Sequence, residues 1–432
     1  MTISEEVALY LQRLYNLQLI GRLMMFNKQV VLQQAKTYDS FYLYDESIII
    51  AHTSQLKADF QGVEFLYSIK CNPNPMVVKT VVSQGFGADA ASLAEVRTSN
   101  QLGIPKGKIH YSAPGKSIQD IAQAMEISTI VADSIDEIMR IQELAEKKGI
   151  IEEIGIRINP NFTFYGQTGT PSKFGIDEDL VYDNAQLLKK MKNIKIIGIH
   201  VHSRSQELNA AVLEKYYENM FLLAITVQDK LGIALQFINL GSGLGISYAE
   251  QDEPLDTVSL GKATAGLIAL FKLKLSNATI FIETGRFAVG KSGVYVTRVL
   301  DKKISYGKTF VILSNTLNGF IRPSLVQLVM SYSKEESPRG SEPLFTSKDA
   351  FEFIALTEEV EKEVVTLVGN ICTATDVVAK DILMPKLKYN DIVVITNAGS
   401  YAAAISPMQF SSQVPPKQLF LTQDGEVVNT HN

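Results

Sequence analysis

From about residue 60 to Arg286 the chain repeats one pattern: a short apolar run, a polar break, then an amphipathic stretch. Apolar runs fall at 64–70, 86–90, 108–112, 128–133, 154–159, 195–202, 236–241 and 279–284. Helical spacing fills intervals between them, as at 118–125, 134–148, 180–190 and 211–231. Strands that alternate with helices pair in parallel through right-handed crossovers. Eight such units in about 240 residues match a TIM (β/α)8 barrel. An open doubly wound sheet would carry a glycine-rich phosphate turn after its first strand. Here Lys70-Cys71-Asn72-Pro73 follows that strand instead. The pattern therefore predicts a barrel over 40–286, entered by a short aromatic strand at 41–45.

After Arg286 the pattern changes to strand-like runs at 293–300, 309–313, 363–368 and 391–396, separated by turn residues. These predict a second, mostly antiparallel β domain, made of 287–432 with the N-terminal segment 1–39. Within that segment, residues 5–35 show helical spacing and then a basic-polar connector. Residues 333–349 are polar and rich in Ser, Glu, Lys and Pro, as in a mobile surface loop. At 432 residues the chain is long enough for two such cores.

Composition excludes several classes of function. The net charge of -5 and the lack of a long basic run argue against a nucleic-acid partner. No apolar run reaches the length of a membrane span, and Met1–Glu6 lacks the flank of a signal peptide. The expectation is a cytoplasmic protein. The two cysteines, Cys71 and Cys372, show no metal-ligand spacing. His200 and His202 alternate along one strand but lack further ligands at zinc spacing, so no metal is expected.

Barrel active sites lie at the C-terminal ends of the strands. Those ends read Lys70, Asp89, Ser112, Asp133, Asn159, His202, Gly241 and Glu283. Lys70 ends an apolar strand, where poor solvation would favour the neutral amine, a nucleophile toward aldehydes. Most strand-end lysines simply reach out to water. Gly241-Ser242-Gly243-Leu244-Gly245 and Glu283-Thr284-Gly285-Arg286 follow the seventh and eighth strands, the usual phosphate site of a barrel. A phosphate site, a strand-end lysine and an acid together suggest pyridoxal phosphate. Glu283 would then keep the pyridine nitrogen protonated. His202 could stack on the ring, or could be an ordinary strand histidine.

Six segments carry a family resemblance: Tyr67–Asn72, His200–Gln206, Gly241–Gly245, Glu283–Arg286, Cys372–Asp376 and Ala398–Tyr401. In this order, across about 40–415, they resemble the fold-type III pyridoxal-phosphate decarboxylases of diaminopimelate, ornithine and carboxynorspermidine. The resemblance implies an alanine-racemase-like fold and roles for individual residues. Lys70 would be the Schiff-base lysine, His202 the ring-stacking residue and Glu283 the pyridinium partner, with Asp89 near the lysine. Ser205, the Gly243-Leu244-Gly245 backbone, Thr284, Gly285, Arg286 and Tyr401 would hold the cofactor. Cys372 would cross a homodimer interface to help protonate the product, and Asp376 would line the partner's contribution.

Departures from the family pattern bear on the substrate. The residue after the cysteine, an acid in the diaminopimelate and ornithine enzymes, is Thr373. Asn315–Pro323 resembles the segment bearing a substrate arginine, here Arg322, but the tyrosine that follows is replaced by Val326. Ser203-Arg204 replaces an apolar-Gly pair and adds a cation near the cofactor. Residues 162–173 would form a lid. A buried ammonium without a partner is costly, so a free distal amine is disfavoured. The Cys-Thr pattern resembles the branch acting on acylated or carrier-bound amino acids in antibiotic and siderophore assembly. The expectation is α-decarboxylation of such a conjugated L-amino acid. Diaminopimelate decarboxylase is the alternative. Glu283 opposes a racemase, whose resemblance would require arginine at the pyridine nitrogen. The retained Lys70, Cys372 and Tyr401 oppose an inactive partner-binding homologue.

Overall fold

The computed structural model describes residues 26–332 other than Gln167, and residues 349–430. The apolar stretch up to residue 25 and most of the polar loop at 333–349 lie outside the described residues. The basic-polar connector contains a helix, Lys28–Gln34, whose first turn is capped by the Asn27 side chain.

The eight expected strands all form, as Val63–Ser68, Gly87–Ala90, Ile109–Tyr111, Thr129–Ala132, Glu152–Asn159, Ile194–His200, Phe237–Asn239 and Thr279–Thr284. Each pairs in parallel with its neighbours, and Thr129–Ala132 with Glu152–Asn159 and Thr279–Thr284 with Val63–Ser68 complete the closed circuit. Ser and Asp or Asn residues start the outer helices. Ser117 caps Ile118–Ile127, Ser134 caps Ile135–Lys148 and Asn209 caps Ala210–Leu231. The helix expected at 180–190 is two short ones, Glu178–Asp183 and Ala185–Lys190, broken where Asn184 turns its amide back onto the Leu180 carbonyl.

Side chains of a strand alternate between its faces, so the barrel fills in layers. Leu66, Ile197, Phe237 and Phe281 form a separate buried apolar cluster. Phe237 needs the space left by two glycines: a Cβ on Gly198 would stand 2.3 Å from its ring, and one on Gly155 2.6 Å. Two residues further along their strands, Asn239 and Glu283 meet His110 and His200 in a layer that is polar and buried.

The second sheet has nine strands and is mostly antiparallel; the parallel pairings are between Lys308–Leu313 and Lys362–Gly369 and between Ser40–Asp45 and Lys417–Leu421. Ser40–Asp45, expected to enter the barrel, instead lies in this sheet, between Gly293–Ser305 and Lys417–Leu421. A helix at Ile321–Tyr332 and strands at Phe353–Leu356, Val377–Pro385, Lys417–Leu421 and Val427–Asn429 were not legible in the sequence pattern. Two hydrogen bonds pin the Lys70 turn to this domain: Tyr401 N–H donates to the Cys71 carbonyl at 2.7 Å and Asn72 Nδ2 to the Gly399 carbonyl at 2.8 Å.

Candidate active site

Lys70 does not end a strand. It sits in the 3-10 turn Ile69–Cys71, just past Ser68 and ahead of the Asn72–Pro75 break. Its Nζ is 3.2 Å from Asp89 Oδ2, and its side chain is 41% exposed toward the mouth. Burial pulls the ammonium toward deprotonation, but the Asp89 carboxylate outweighs it, so the amine is held above the ordinary lysine range. This reverses the desolvation expected from the sequence. Asp89 is itself fully buried and also accepts from Ser68 Oγ at 3.0 Å and Ser112 Oγ at 2.6 Å.

Around the mouth, Arg157 donates to the Ser112 carbonyl at 3.2 Å, lies 3.9 Å from Asp133 and packs on the Phe174 ring. Asn159 turns away from the centre to the segment beyond it, donating to the Thr170 carbonyl and Asp177. In the candidate lid, Phe162 and Phe164 pack on Tyr216. Tyr165 is hydrogen-bonded to Glu207, and the Arg204 guanidinium stacks over its ring at 5.2 Å.

Glu283 lies opposite, 1% exposed. Burial alone would raise its carboxyl, but His200, then His202 and Lys70, hold it well below the usual carboxylate range. His202 Nδ1 accepts from Ser242 N–H at 3.1 Å, which fixes the ring beside the glycine turn. The glycine positions of that turn leave no room for side chains. Gly241 has φ 71° and a Cβ there would stand 2.1 Å from the Val201 carbonyl oxygen. A Cβ on Gly243 would meet Leu213 at 2.7 Å. Gln206 clamps the turn from the other side, its amide exchanging hydrogen bonds with the Ile246 backbone. Two non-glycine residues here hold left-handed backbone, Gln206 at φ 64° and Tyr401 at φ 47°, strain of the kind that clusters at functional sites.

Arg286 is buried against this turn, donating to Tyr248 Oη at 2.9 Å with the Tyr401 ring 4.8 Å from its guanidinium carbon. Tyr248 lies between Arg286 and Arg322. Burial would raise its phenol, but the two guanidiniums outweigh that and lower it below the ordinary range. Ser205 Oγ and Thr284 Oγ1 are buried without a hydrogen-bond partner among the described residues. Orphan hydroxyls, a backbone cradle and a buried guanidinium fit a phosphate.

The structure thus gathers Lys70, Asp89, His202, Ser205, Gly243–Gly245, Glu283–Arg286 and Tyr401 at one end of the barrel. Arg322 is fully buried and donates to the Ser400 carbonyl at 3.2 Å. Cys372 stands apart, exposed on the second domain, with Thr373 beside it. Asp376 is 3% exposed, and its carboxylate accepts from Thr316 Oγ1, Leu317 N–H at 3.0 Å and Ile371 N–H at 3.3 Å. It braces the cysteine turn from within its own chain. Sequence reasoning passed over Arg157, His110, Asn239 and Tyr248, although period-two spacing back from the strand ends Asn159, Ser112 and Gly241 marks the first three. Among the described residues no cluster could hold a metal, and no helix is long and apolar enough to cross a membrane.

The family model described as "Pyridoxal-dependent decarboxylase, pyridoxal binding domain" matches residues 46–290. The chain is 30% identical over 391 residues to the L-glutamyl-(BtrI acyl-carrier protein) decarboxylase of Niallia circulans, covering 88% of each. It is 27% identical over 412 residues to the 2-((L-alanin-3-ylcarbamoyl)methyl)-2-hydroxybutanedioate decarboxylase of Staphylococcus aureus, covering 92% of this chain and 98% of the relative. The crystal structure of diaminopimelate decarboxylase from Helicobacter pylori with L-lysine superposes with a TM-score of 0.78 at 27% identity, covering 94% of this chain and 96% of the other.

Proposed function

Because the chain belongs to the fold-type III pyridoxal-dependent decarboxylases, we propose that it removes the α-carboxylate of an L-amino acid whose distal end is acylated or carrier-linked, in siderophore or antibiotic assembly. One observation carries the substrate reading. The only carboxylate in the Cys372–Asp376 turn is Asp376, and its oxygens are taken by three donors of its own chain. Thr373, where an acid would meet a distal ammonium, is neutral and bonded to Thr375 Oγ1 at 2.9 Å. Val326, where a tyrosine would stand, is buried. The turn therefore offers no free negative charge to a substrate amine.

In this reading Lys70 binds the cofactor aldehyde, with Asp89 holding the amine in place at the mouth. Glu283 keeps a proton on the pyridine nitrogen, and His202 supports the ring face. Ser205, Thr284, the Gly243–Gly245 backbone, Arg286 and Tyr401 hold the phosphate. When bound, pyridoxal 5'-phosphate supplies the electron sink that accepts the pair left as CO2 departs. Exposed Cys372 suits a homodimer in which each chain's thiol enters its partner's site and delivers the proton to Cα. Tyr248, set between Arg286 of the barrel and Arg322 of the second domain, joins the two on this side of the site.

The test is CO2 release by the holoenzyme from meso-diaminopimelate, L-ornithine, L-lysine and N-acylated or carrier-linked amino acids, with Lys70→Ala as control. Release from the conjugates alone supports the reading. A second reading, diaminopimelate decarboxylation, draws on the superposition with the Helicobacter pylori enzyme over nearly the whole chain. Robust release from meso-diaminopimelate would establish it and sink the conjugate reading.

A further inference from the structure

His200 belongs to the same motif as His202, yet the roles above leave it without one. Residues two apart on a strand share a face, so both imidazoles point at the same acid. His200 Nε2 is 3.1 Å from Glu283 Oε1, and His202 Nδ1 is 3.9 Å from Oε2. The two contacts are not equivalent. His202 Nδ1 already accepts the Ser242 N–H, so it carries no proton there to give the carboxylate.

Asn239 resolves the other oxygen. Its Oδ1 accepts from Gly241 N–H at 2.9 Å, which fixes the amide orientation. Its Nδ2 then donates to Glu283 Oε1 at 2.9 Å and faces His110 Nδ1 at 3.3 Å. His110 therefore acts as an acceptor and offers Glu283 nothing. Glu283, His200, His110 and Asn239 are all at most 1% exposed, so water does not stabilise the charge. Neither ring nitrogen of His200 makes an aligned hydrogen bond among the described residues, and the 3.1 Å approach of Nε2 to Glu283 Oε1 is a contact by distance. Glu283 is its anionic neighbour.

We propose that His200 is a positioning residue for the decarboxylation. Its Nε2–H serves Glu283 Oε1 together with Asn239, so that Oε1 is occupied from below and Oε2 is the oxygen left to engage the cofactor's pyridine nitrogen. The proposal rests on Glu283 as the pyridinium partner. It also ties that acid to the phosphate end of the site, since one amide, Asn239, holds both Glu283 and Gly241.

The test uses the holoenzyme labelled with 15N-histidine. The chain has five histidines, so His200 is assignable from single His→Gln variants. The expected spectrum shows a proton on His200 Nε2 and a changed signal in Glu283→Gln. In His200→Phe, kcat should fall about 10- to 100-fold, the scale of one lost hydrogen bond to a charge, with KM within about threefold. The bound-cofactor absorbance should move in the same direction as in Glu283→Gln, and His200→Gln should recover part of kcat. An unprotonated Nε2 in the wild type overturns the proposal even if His200→Phe fails to fold. A folded His200→Phe with kcat and absorbance unchanged overturns it alone, leaving the Glu283 assignment standing. Unchanged absorbance and kcat in Glu283→Gln overturns both.

Discussion

Asp376→Ala separates a brace from a substrate ligand. The wild-type carboxylate is 3% exposed and accepts from Thr316 Oγ1, Leu317 N–H and Ile371 N–H. Hydrogen bonds to a charged group are worth about 1.5–3 kcal/mol each, and the orphaned donors would also remain desolvated. The three share one acceptor and are not additive, so the expected loss is about 3–5 kcal/mol. Urea unfolding followed by far-UV circular dichroism should show a lower midpoint with the slope unchanged. Because Asp376 anchors the turn bearing Cys372 and Thr373, kcat should fall as well. The ratio of kcat/KM between conjugated substrates and those with a free distal amine should stay within about threefold of wild type. A destabilisation under about 1 kcal/mol, or a selective collapse of turnover of amine substrates, would refute the argument and return Asp376 to the substrate pocket.

Asp89→Asn should let the Lys70 ammonium deprotonate at lower pH, because its counter-charge at 3.2 Å is removed while the burial that opposes charge remains. In apoenzyme, the pH midpoint for borohydride trapping of Lys70 by an aldehyde, read by peptide mass spectrometry, should move down; a midpoint that stays or rises contradicts the pairing. Iodoacetamide at neutral pH should modify exposed Cys372 and spare Cys71, whose buried thiol is pushed up to about 12; labelling of Cys71 in the folded protein would contradict its placement. Gly198→Ala should cost about 1–3 kcal/mol by overpacking against Phe237, with Phe237→Leu restoring part of the loss. Equal stability of Gly198→Ala and wild type in urea would show that the ring moves aside freely.

The barrel was legible because eight apolar runs alternate with amphipathic stretches, and each run became a strand within a few residues. Glu283, Asp89 and His202 were legible for a related reason: they stand where strands end. What the pattern could not show is pairing. Ser40–Asp45 has the composition of any buried strand, and only its partners Gly293–Ser305 and Lys417–Leu421 place it in the second sheet. The strand Val377–Pro385 was hidden by Lys380-Asp381, which sits where its register with Lys362–Gly369 shifts, with Asp381 at φ 50°. Lys70 was found by its neighbours in sequence, but its charge state depends on Asp89, 19 residues away. Asp376 could be read as an acid near the site, and only its three donors show that its charge is already used.

The interior of the barrel explains how two carboxylates within one site can hold different tasks. Below lies the apolar layer, whose Phe237 and Phe281 pack against the underside of the His110 ring. Burial lowers that imidazole to about 4 and keeps it neutral. The layer above could not be left as unpaired polar groups, because each would carry its full desolvation penalty. Its members are divided into two sets instead. Asp89 is served by Lys70, Ser68 and Ser112, which follow or end the two strands flanking its own. Glu283 is served by Asn239 and His200 from the other side. Exchanging an amine for an imidazole and an amide is what distinguishes the two acids. In the proposed reading Asp89 faces a group that would give up its proton when the cofactor binds, so its carboxylate could be released at the mouth. Glu283 faces groups that stay in place, so its charge is fixed at the depth where a pyridine nitrogen would need it. The alternation of strand residues put both acids inside, and their different neighbours decide which one is anchored.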